Sequence, residues 1–509
     1  MACWIALHLP YLALEVASAL TPADALTDTT VVLAQSRVWQ ASEVAQAAGV
    51  QPGMRRGGVL ALLPLARFHD RDEAAETVAL EALALALLRF GPDVAIASPQ
   101  SVLIDVAPSL RLFGGLASLA AQVRESAEAL GHRASLGIAA TASAAVLLAR
   151  AGVPCEHPLP PTPMALPPSL DPLSVAWLPE AQPWLDWLAQ IGCATLGELR
   201  ALPAAGVRRR CGAELPAALS RAYGQMPEAP AWYRAPPHFE AVLPLPSLTH
   251  DVDVLLFGLR RLLAQLTGWL AAGQLATRAL TLVLEHEPLG RQTLAPTRFD
   301  IRLAEASAAP AHLLSLCKER LARSPLVAPV LTLRLDVTQT AHHVPQSGSL
   351  LPEPGRARQD FVQLMERVAA RLGDASVRRL QVRGDHRPEA AFVSLPYGAP
   401  DSPAHASHGT ASGAGRHLPD GGECLPPPRP AWLLEAPQRL GVRQERPWRQ
   451  GPLQLVSGPE RIEAGWWEPG TVTRDYFIAA DTTGALLWVF RERPVNGADA
   501  AWYLHGLFG

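Results

Sequence analysis

The stretch Gly91-Pro92-Asp93-Val94-Ala95-Ile96-Ala97-Ser98-Pro99-Gln100-Ser101-Val102-Leu103-Ile104-Asp105-Val106 decides how this chain is read. Its second half, Ser98 to Val106, alternates apolar and polar residues as a strand does. Helical apolar spacing flanks it, over Glu73 to Phe90 before and Leu116 to Leu130 after. Trp4-Ile5-Ala6-Leu7-His8-Leu9 reads as an opening strand, Arg133 to Ile138 as another, and Thr141 to Arg150 as a helix. This β-α-β-α order predicts an α+β unit over residues 1–160. A short mixed segment at about 25–71, with Val31-Val32-Leu33 as a strand, is inserted in it.

Outward from there, Pro154 to Pro172 is crowded with proline, which removes backbone donors and favours extended chain, so a boundary belongs there. Short helices are expected over 173–232. A second α+β unit at 238–340 is built from a helix at Val252 to Ala271, a strand at Thr277 to Glu285, a helix at Pro310 to Ala322 and a strand at Val330 to Val337. A linker at 341–357 and a helix and strand at 358–395 follow. Residues 396–430, rich in Gly, Pro, Ser and His, have the composition of a disordered linker. The end, 431–509, reads as a small β-rich unit with strands at Leu453 to Val456, Tyr476 to Ala479 and Leu486 to Arg491. The fold class is therefore α+β, multidomain, as 509 residues already suggest.

Composition narrows the functional classes. Hydrophobic residues make up 49% and charged residues 18%, which are globular values. Met1 to Pro10 shows no basic region followed by an apolar run, and Val78 to Leu88, the most apolar stretch, contains Glu81 and is too short to cross a bilayer. The expectation is a cytoplasmic protein without a membrane partner. Six scattered cysteines form no C-x-x-C pair, and His342-His343 lack zinc-ligand spacing, so neither a zinc ribbon nor a disulfide framework is implied. There is no P-loop, G-x-S-x-G or H-E-x-x-H, and no cofactor is implied. With a net charge of -3, nucleic-acid binding must come from local patches. Lys318 is the only lysine, and arginine does the basic work.

Four segments in order carry a resemblance to the Y-family DNA polymerases. The opening stretch is similar to the family's S-P-x-V-E-x-x-S-I-D-E-A-Y-L-D-V pattern. Ala48-Gly49-Val50-Gln51-Pro52-Gly53-Met54 resembles G-V-x-x-G-M of the fingers, and Leu136-Gly137-Ile138-Ala139 resembles the S-x-G-I-A strand. Ile191-Gly192-Cys193-Ala194-Thr195-Leu196-Gly197-Glu198-Leu199 is similar to the thumb's helix-hairpin-helix segment. The resemblance runs from about Trp4 to Val337. It implies palm (1–160), fingers (25–71), thumb (173–232) and little finger (238–340).

The same resemblance puts the chemistry in question. Such polymerases hold two magnesium ions on clustered carboxylates. With Glu15 as the family's trailing glutamate, the leading metal ligand falls on Ala6 and the second aspartate on His8; the D-E pair falls on Gln100 and Ser101. The triphosphate segment Y-E-A-R-K-F-G-V becomes Glu43-Val44-Ala45-Gln46-Ala47-Ala48-Gly49-Val50, and N-K-x-x-A-K becomes Thr141-Ala142-Ser143-Ala144-Ala145-Val146. The combination is similar to the ImuB-type, catalytically inactive relatives of the family (UmuC-like domain), whose tail is resembled by Arg429 to Leu434, Gly458 to Trp467 and Trp502 to Phe508.

Three further sites are singled out. Gln346-Ser347-Gly348-Ser349-Leu350-Leu351 resembles the sliding-clamp motif, with Gln346, Ser349, Leu350 and Leu351 as contacts. Arg208, Arg209 and Arg210 are a solvated face or a phosphate grip. Trp466 and Trp467 are core or a partner-binding face. The resemblance implies a non-catalytic, DNA-binding scaffold for SOS mutagenesis, translesion synthesis and DNA repair. Its partners would be damaged or primer-template DNA, the sliding clamp, an error-prone C-family DNA polymerase and a RecA-like mutasome partner. The alternatives are an active translesion polymerase and an interaction module that no longer touches DNA.

Overall fold

The computed structural model describes residues 2–18, 29–97, 100–154, 170–288, 294–343, 354–397, 428–466, 471–493 and 500–508. It divides into two compact units, Met1–Gly373 and Asp374–Gly509.

The first unit opens with β1 (Trp4–His8) and α1 (Leu12–Ser18). A subdomain of β2 (Thr30–Ala34), β3 (Arg37–Ala41), α2 (Glu43–Ala47), α3 (Arg56–Leu62) and β4 (Arg67–Asp70) follows. It closes its own small core with Val31, Leu33, Val38, Ala45, Val50 and Val59. The chain continues through α4 (Glu73–Leu87), β5 (Val94–Ala97), β6 (Ser101–Asp105), α5 (Leu116–Ala129), β7 (Ser135–Ala139) and α6 (Ala142–Arg150). Four strands form an antiparallel sheet in the order β5-β6-β1-β7.

Alternation sorts the sheet's two faces. Ile5, Leu7, Val102, Ile104 and Ile138 enter the core shared with α4 and α5, whereas Trp4, Ala6, Ala95, Leu103 and Ala139 pack toward α6. That helix lies so close that a Cβ on Gly137 would come 2.2 Å from the Ala145 carbonyl oxygen. Glycine in Leu136-Gly137-Ile138-Ala139 is thus a packing requirement.

Short helices follow: α7 (Leu185–Gln190), α8 (Leu196–Ala201), α9 (Ala204–Cys211) and α10 (Glu214–Ala222). Next come β8 (Glu240–Thr249), α11 (Val252–Ala272), β9 (Leu275–His286), β10 (Thr297–Ser307), α12 (Pro310–Arg323) and β11 (Val330–His342). The second sheet runs β10-β9-β11-β8, and its Leu280, Leu282, Leu284, Leu333 and Leu335 join the same core as the first. Long and apolar enough to cross a membrane, α11 instead buries Leu255, Leu259, Leu262 and Leu266. Its Gly268 sits where a Cβ would meet the Leu85 carbonyl oxygen of α4 at 1.8 Å. Against α12 packs α13 (Pro354–Leu372), through Val362, Ala370 and a buried carboxylate. That carboxylate, Glu366, accepts from the Ala304 amide at 2.6 Å and lies 2.6 Å from His312 Nε2.

The second unit begins with a ribbon of β12 (Arg378–Val382) and β13 (Phe392–Pro396). Then come β14 (Trp432–Arg439), the hairpin β15 (Gly441–Arg443) and β16 (Arg446–Trp448), β17 (Gln454–Ala464), β18 (Val472–Ala480), β19 (Leu486–Glu492) and β20 (Trp502–Leu507). The five-stranded sheet β14-β20-β19-β18-β17 buries Leu487, Val489 and Trp502 on one face and Tyr476, Trp488 and Phe490 on the other. Its two edge strands each carry a proline, Pro437 and Pro459, which blunts them against strand addition.

One expectation needs correction. Of the strand expected over Ser98 to Val106, the described part is a hairpin arm starting at Ser101, because Gln100 takes a φ of 58° in the turn between β5 and β6. The 358–395 segment holds the expected helix and strand. Its helix belongs to the first unit and its ribbon to the second, with Glu366 holding the helix to β10. Of the 396–430 linker, residues 398–427 lie outside the described residues.

Candidate functional site

The register of the first sheet places His8 opposite Ser101 and Ala6 opposite Leu103. His8 Nδ1 lies 3.0 Å from Ser101 Oγ. Burial pulls the imidazole down from 6.5 to about 4, with the Arg150 guanidinium adding to the effect and a Gln100 backbone hydrogen bond opposing it. At neutral pH this is a neutral ring against a hydroxyl, a poor donor pair for a hard cation. Ala6 is fully buried under α6 and does not reach the turn; the β1 side chain that meets Ser101 is His8. Gln100 contributes its carbonyl to the turn, accepting from the Leu9 amide at 2.8 Å.

The nearby carboxylates have other employment. Asp105 accepts from the Cys3 amide at 3.2 Å and the Ala107 amide at 3.0 Å. The buried Glu15 accepts from the Arg133 amide at 2.8 Å and lies 2.9 Å from His132 Nδ1. Among the described residues no group of three or more His, Cys, Asp or Glu is arranged to hold a metal ion.

The segments that resemble the family's triphosphate motifs are similarly occupied. Gln46 donates to the Ala41 carbonyl at 2.7 Å, and Glu43 accepts from Tyr11 and from Arg133. Thr141 caps α6, accepting from the Ala144 amide at 3.3 Å. The same helix N-terminus already holds a carboxylate, for Glu228 accepts from the Ala142 and Ser143 amides at 2.7 and 2.9 Å. A cavity of about 290 Å³ lies alongside, floored by Ala95, Ala97 and Leu103 and rimmed by Arg150, Arg221 and Glu228.

Arg208, Arg209 and Arg210 are exposed in the last turn of α9. There they complement that helix's C-terminal dipole. Pro179–Trp184 forms a 3-10 helix with Ala181 buried. Trp466 is exposed. Gln346, Ser349, Leu350, Leu351 and Trp467 lie outside the described residues.

Sequence reasoning missed the open face of the second sheet. One rung there carries Arg298 and Arg334, and the next carries Asp300, Asp336 and Glu240. Arg334 pairs with Glu240 at 2.9 Å and with Asp336 at 3.3 Å, and Thr281 donates to Asp300 at 2.8 Å. Period-two alternation on β10 and β11 was the available signal.

Residues 12–150 match the impB/mucB/samB family. Protein ImuB of Caulobacter vibrioides strain NA1000 / CB15N is 29% identical over 503 residues, covering 91% of this chain and 100% of that protein; the same holds for Protein ImuB of strain ATCC 19089 / CIP 103742 / CB 15. Among solved structures, DinB from Sulfolobus solfataricus is 16% identical, with a TM-score of 0.36, covering 67% of this chain and 100% of that one. The insertion ternary complex of Dbh DNA polymerase is 16% identical, also with a TM-score of 0.36, covering 66% and 98%. Residues 12–150 are thus similar to the impB/mucB/samB family, and the chain is similar along nine-tenths of its length to Protein ImuB.

Proposed function

We propose that this chain is a non-catalytic DNA-bound scaffold in error-prone translesion synthesis and DNA repair. One observation carries the reading: the positions where the Y-family resemblance puts the family's carboxylates are Ala6, His8, Gln100 and Ser101, and His8 lies opposite Ser101 at hydrogen-bond distance. A neutral imidazole, a hydroxyl and an amide cannot hold two magnesium ions against a triphosphate. The similarity to Protein ImuB over the whole of that protein supports a role in DNA damage tolerance. On this reading primer-template DNA is gripped through backbone contacts, Arg208 to Arg210 among them. Gln346, Ser349, Leu350 and Leu351 engage the sliding clamp. The C-terminal unit, with Trp466 and Trp467, recruits an error-prone C-family polymerase and a RecA-like partner. The prolines on both edges of its sheet favour recruitment by side-chain surface over strand addition.

The test is fluorescence anisotropy of labelled primer-template DNA at several salt concentrations, with clamp capture alongside. The scaffold binds DNA at roughly micromolar Kd in low salt with a salt-dependent slope, and Leu350→Ala with Leu351→Ala weakens clamp capture. A second reading, an interaction module without DNA affinity, is favoured by the acidic rung of Asp300, Asp336 and Glu240, which would face phosphates with like charge. Absence of measurable DNA binding at low salt, with clamp capture intact, selects it.

A further inference from the structure

We propose that the small subdomain formed by β2, β3, β4, α2 and α3 is latched onto α1 and the turn that precedes it, with Gln40 as the bolt, so that the gap between them keeps one pose. A subdomain inserted in a larger body ordinarily moves unless its interface is extensive or hydrogen-bonded. Here both ends of the Gln40 amide are engaged across the gap. Its oxygen accepts from the Leu14 amide at 3.1 Å and its nitrogen donates to the Pro10 carbonyl. Leu14 lies in the first turn of α1. Gln40 thus grips a helix outside its own subdomain at two points, and moving it away breaks both hydrogen bonds together.

Three further contacts surround the bolt. Val32 of β2 is buried with Ala13 and Leu14 of α1. Glu43 accepts from Tyr11 at 3.2 Å and from Arg133 at 2.9 Å; this exposed pair adds little. At the exit from the subdomain, Arg71 forks onto the buried Glu76 of α4 at 2.7 and 2.8 Å and stacks over Trp39 of β3 at 4.1 Å. The connection between β4 and α4, where a hinge would sit, is therefore pinned from both sides.

The latch rests on contacts present in the chain, not on missing carboxylates, and stands or falls independently of the scaffold reading. Hydrogen exchange read by mass spectrometry on the full chain tests it. The wild type protects peptides over 9–18 and 30–41 together. Gln40→Ala makes both exchange roughly tenfold faster while leaving the peptide over 275–286 unchanged, and Gln40→Glu, which keeps the acceptor for Leu14, falls between. Loop-like exchange of 9–18 and 30–41 in the wild type, or no change in Gln40→Ala, overturns the proposal. Should Gln40→Ala also loosen 275–286, Arg71→Lys removes the fork without unfolding the core. It is expected to speed 30–41, and unchanged exchange there overturns the latch as well.

Discussion

The α6-facing side of the first sheet and the open face of the second handle charge in opposite ways. On the first, Ala6, Ala95 and Leu103 pack toward α6, and the most polar members, His8 and Ser101, are bonded to each other and neutral. On the second, the strands project Arg298, Arg334, Asp300, Asp336 and Glu240, and much of that charge is already paired across strands. A polymerase needs the reverse allocation, with carboxylates concentrated where the metals sit and positive charge where the duplex lies. The difference teaches that the α6-facing positions of the first sheet are neutral, while much of the charge on the second sheet is paired with itself.

The largest expected effect sharpens the comparison of packing. Gly137→Val drives a branched side chain into the Ala145 carbonyl and the Ala149 amide, at 2.2 and 2.5 Å from the first added carbon. It should cost about 3 kcal/mol. Val242→Ala, on the open face of the second sheet and 47% exposed, should stay within about 0.5 kcal/mol. Urea denaturation of the two variants reads both; equal costs would mean that α6 does not press on the first sheet.

Next in size is the pH response of His8. Its folded value is lowered to about 4 from 6.5. Its contribution is therefore whole above pH 6.5 and is lost as pH falls through 6.5 toward 4, where the unfolded chain takes up the proton first. The loss should be about 1–2 kcal/mol, less than the full shift because the ring is partly exposed. His8→Asn should flatten the wild type's melting-temperature profile across that window, and identical profiles would place His8 in ordinary solvent.

A smaller effect breaks the charge contrast directly. Neutralising the acidic rung with Glu240→Gln, Asp300→Asn and Asp336→Asn should tighten non-specific DNA binding roughly fivefold at low salt. Unchanged affinity would show that DNA does not approach this face. Smallest of all, Trp466→Ala should alter folding stability by less than about 0.5 kcal/mol, since the side chain is 77% exposed. A calorimetric scan decides that, and a marked drop in melting temperature would make the tryptophan part of the core.

Much of the frame was legible because periodicity is local. β1, α4, α5, α11 and β7 lie where alternation and helical spacing put them. The turn at Gln100 was not legible, because a positive φ in a residue other than glycine leaves no compositional mark. Neither was the Glu228 carboxylate at the head of α6, nor the Glu366–His312 contact that joins α13 to the first unit, because both pair residues far apart in sequence. The substituted positions were readable only through the family pattern, and spatial register was needed to see that His8, not Ala6, meets Ser101.

The most direct measurement is primer extension by the purified full chain on a labelled primer-template with magnesium and all four deoxynucleoside triphosphates. The account predicts no product above a protein-free control at any enzyme concentration, and none with manganese in place of magnesium, because His8, Gln100 and Ser101 supply no carboxylate to either ion. Extension that scales with the chain's concentration and vanishes in Asp105→Asn or Glu15→Gln, with folding retained, would contradict it.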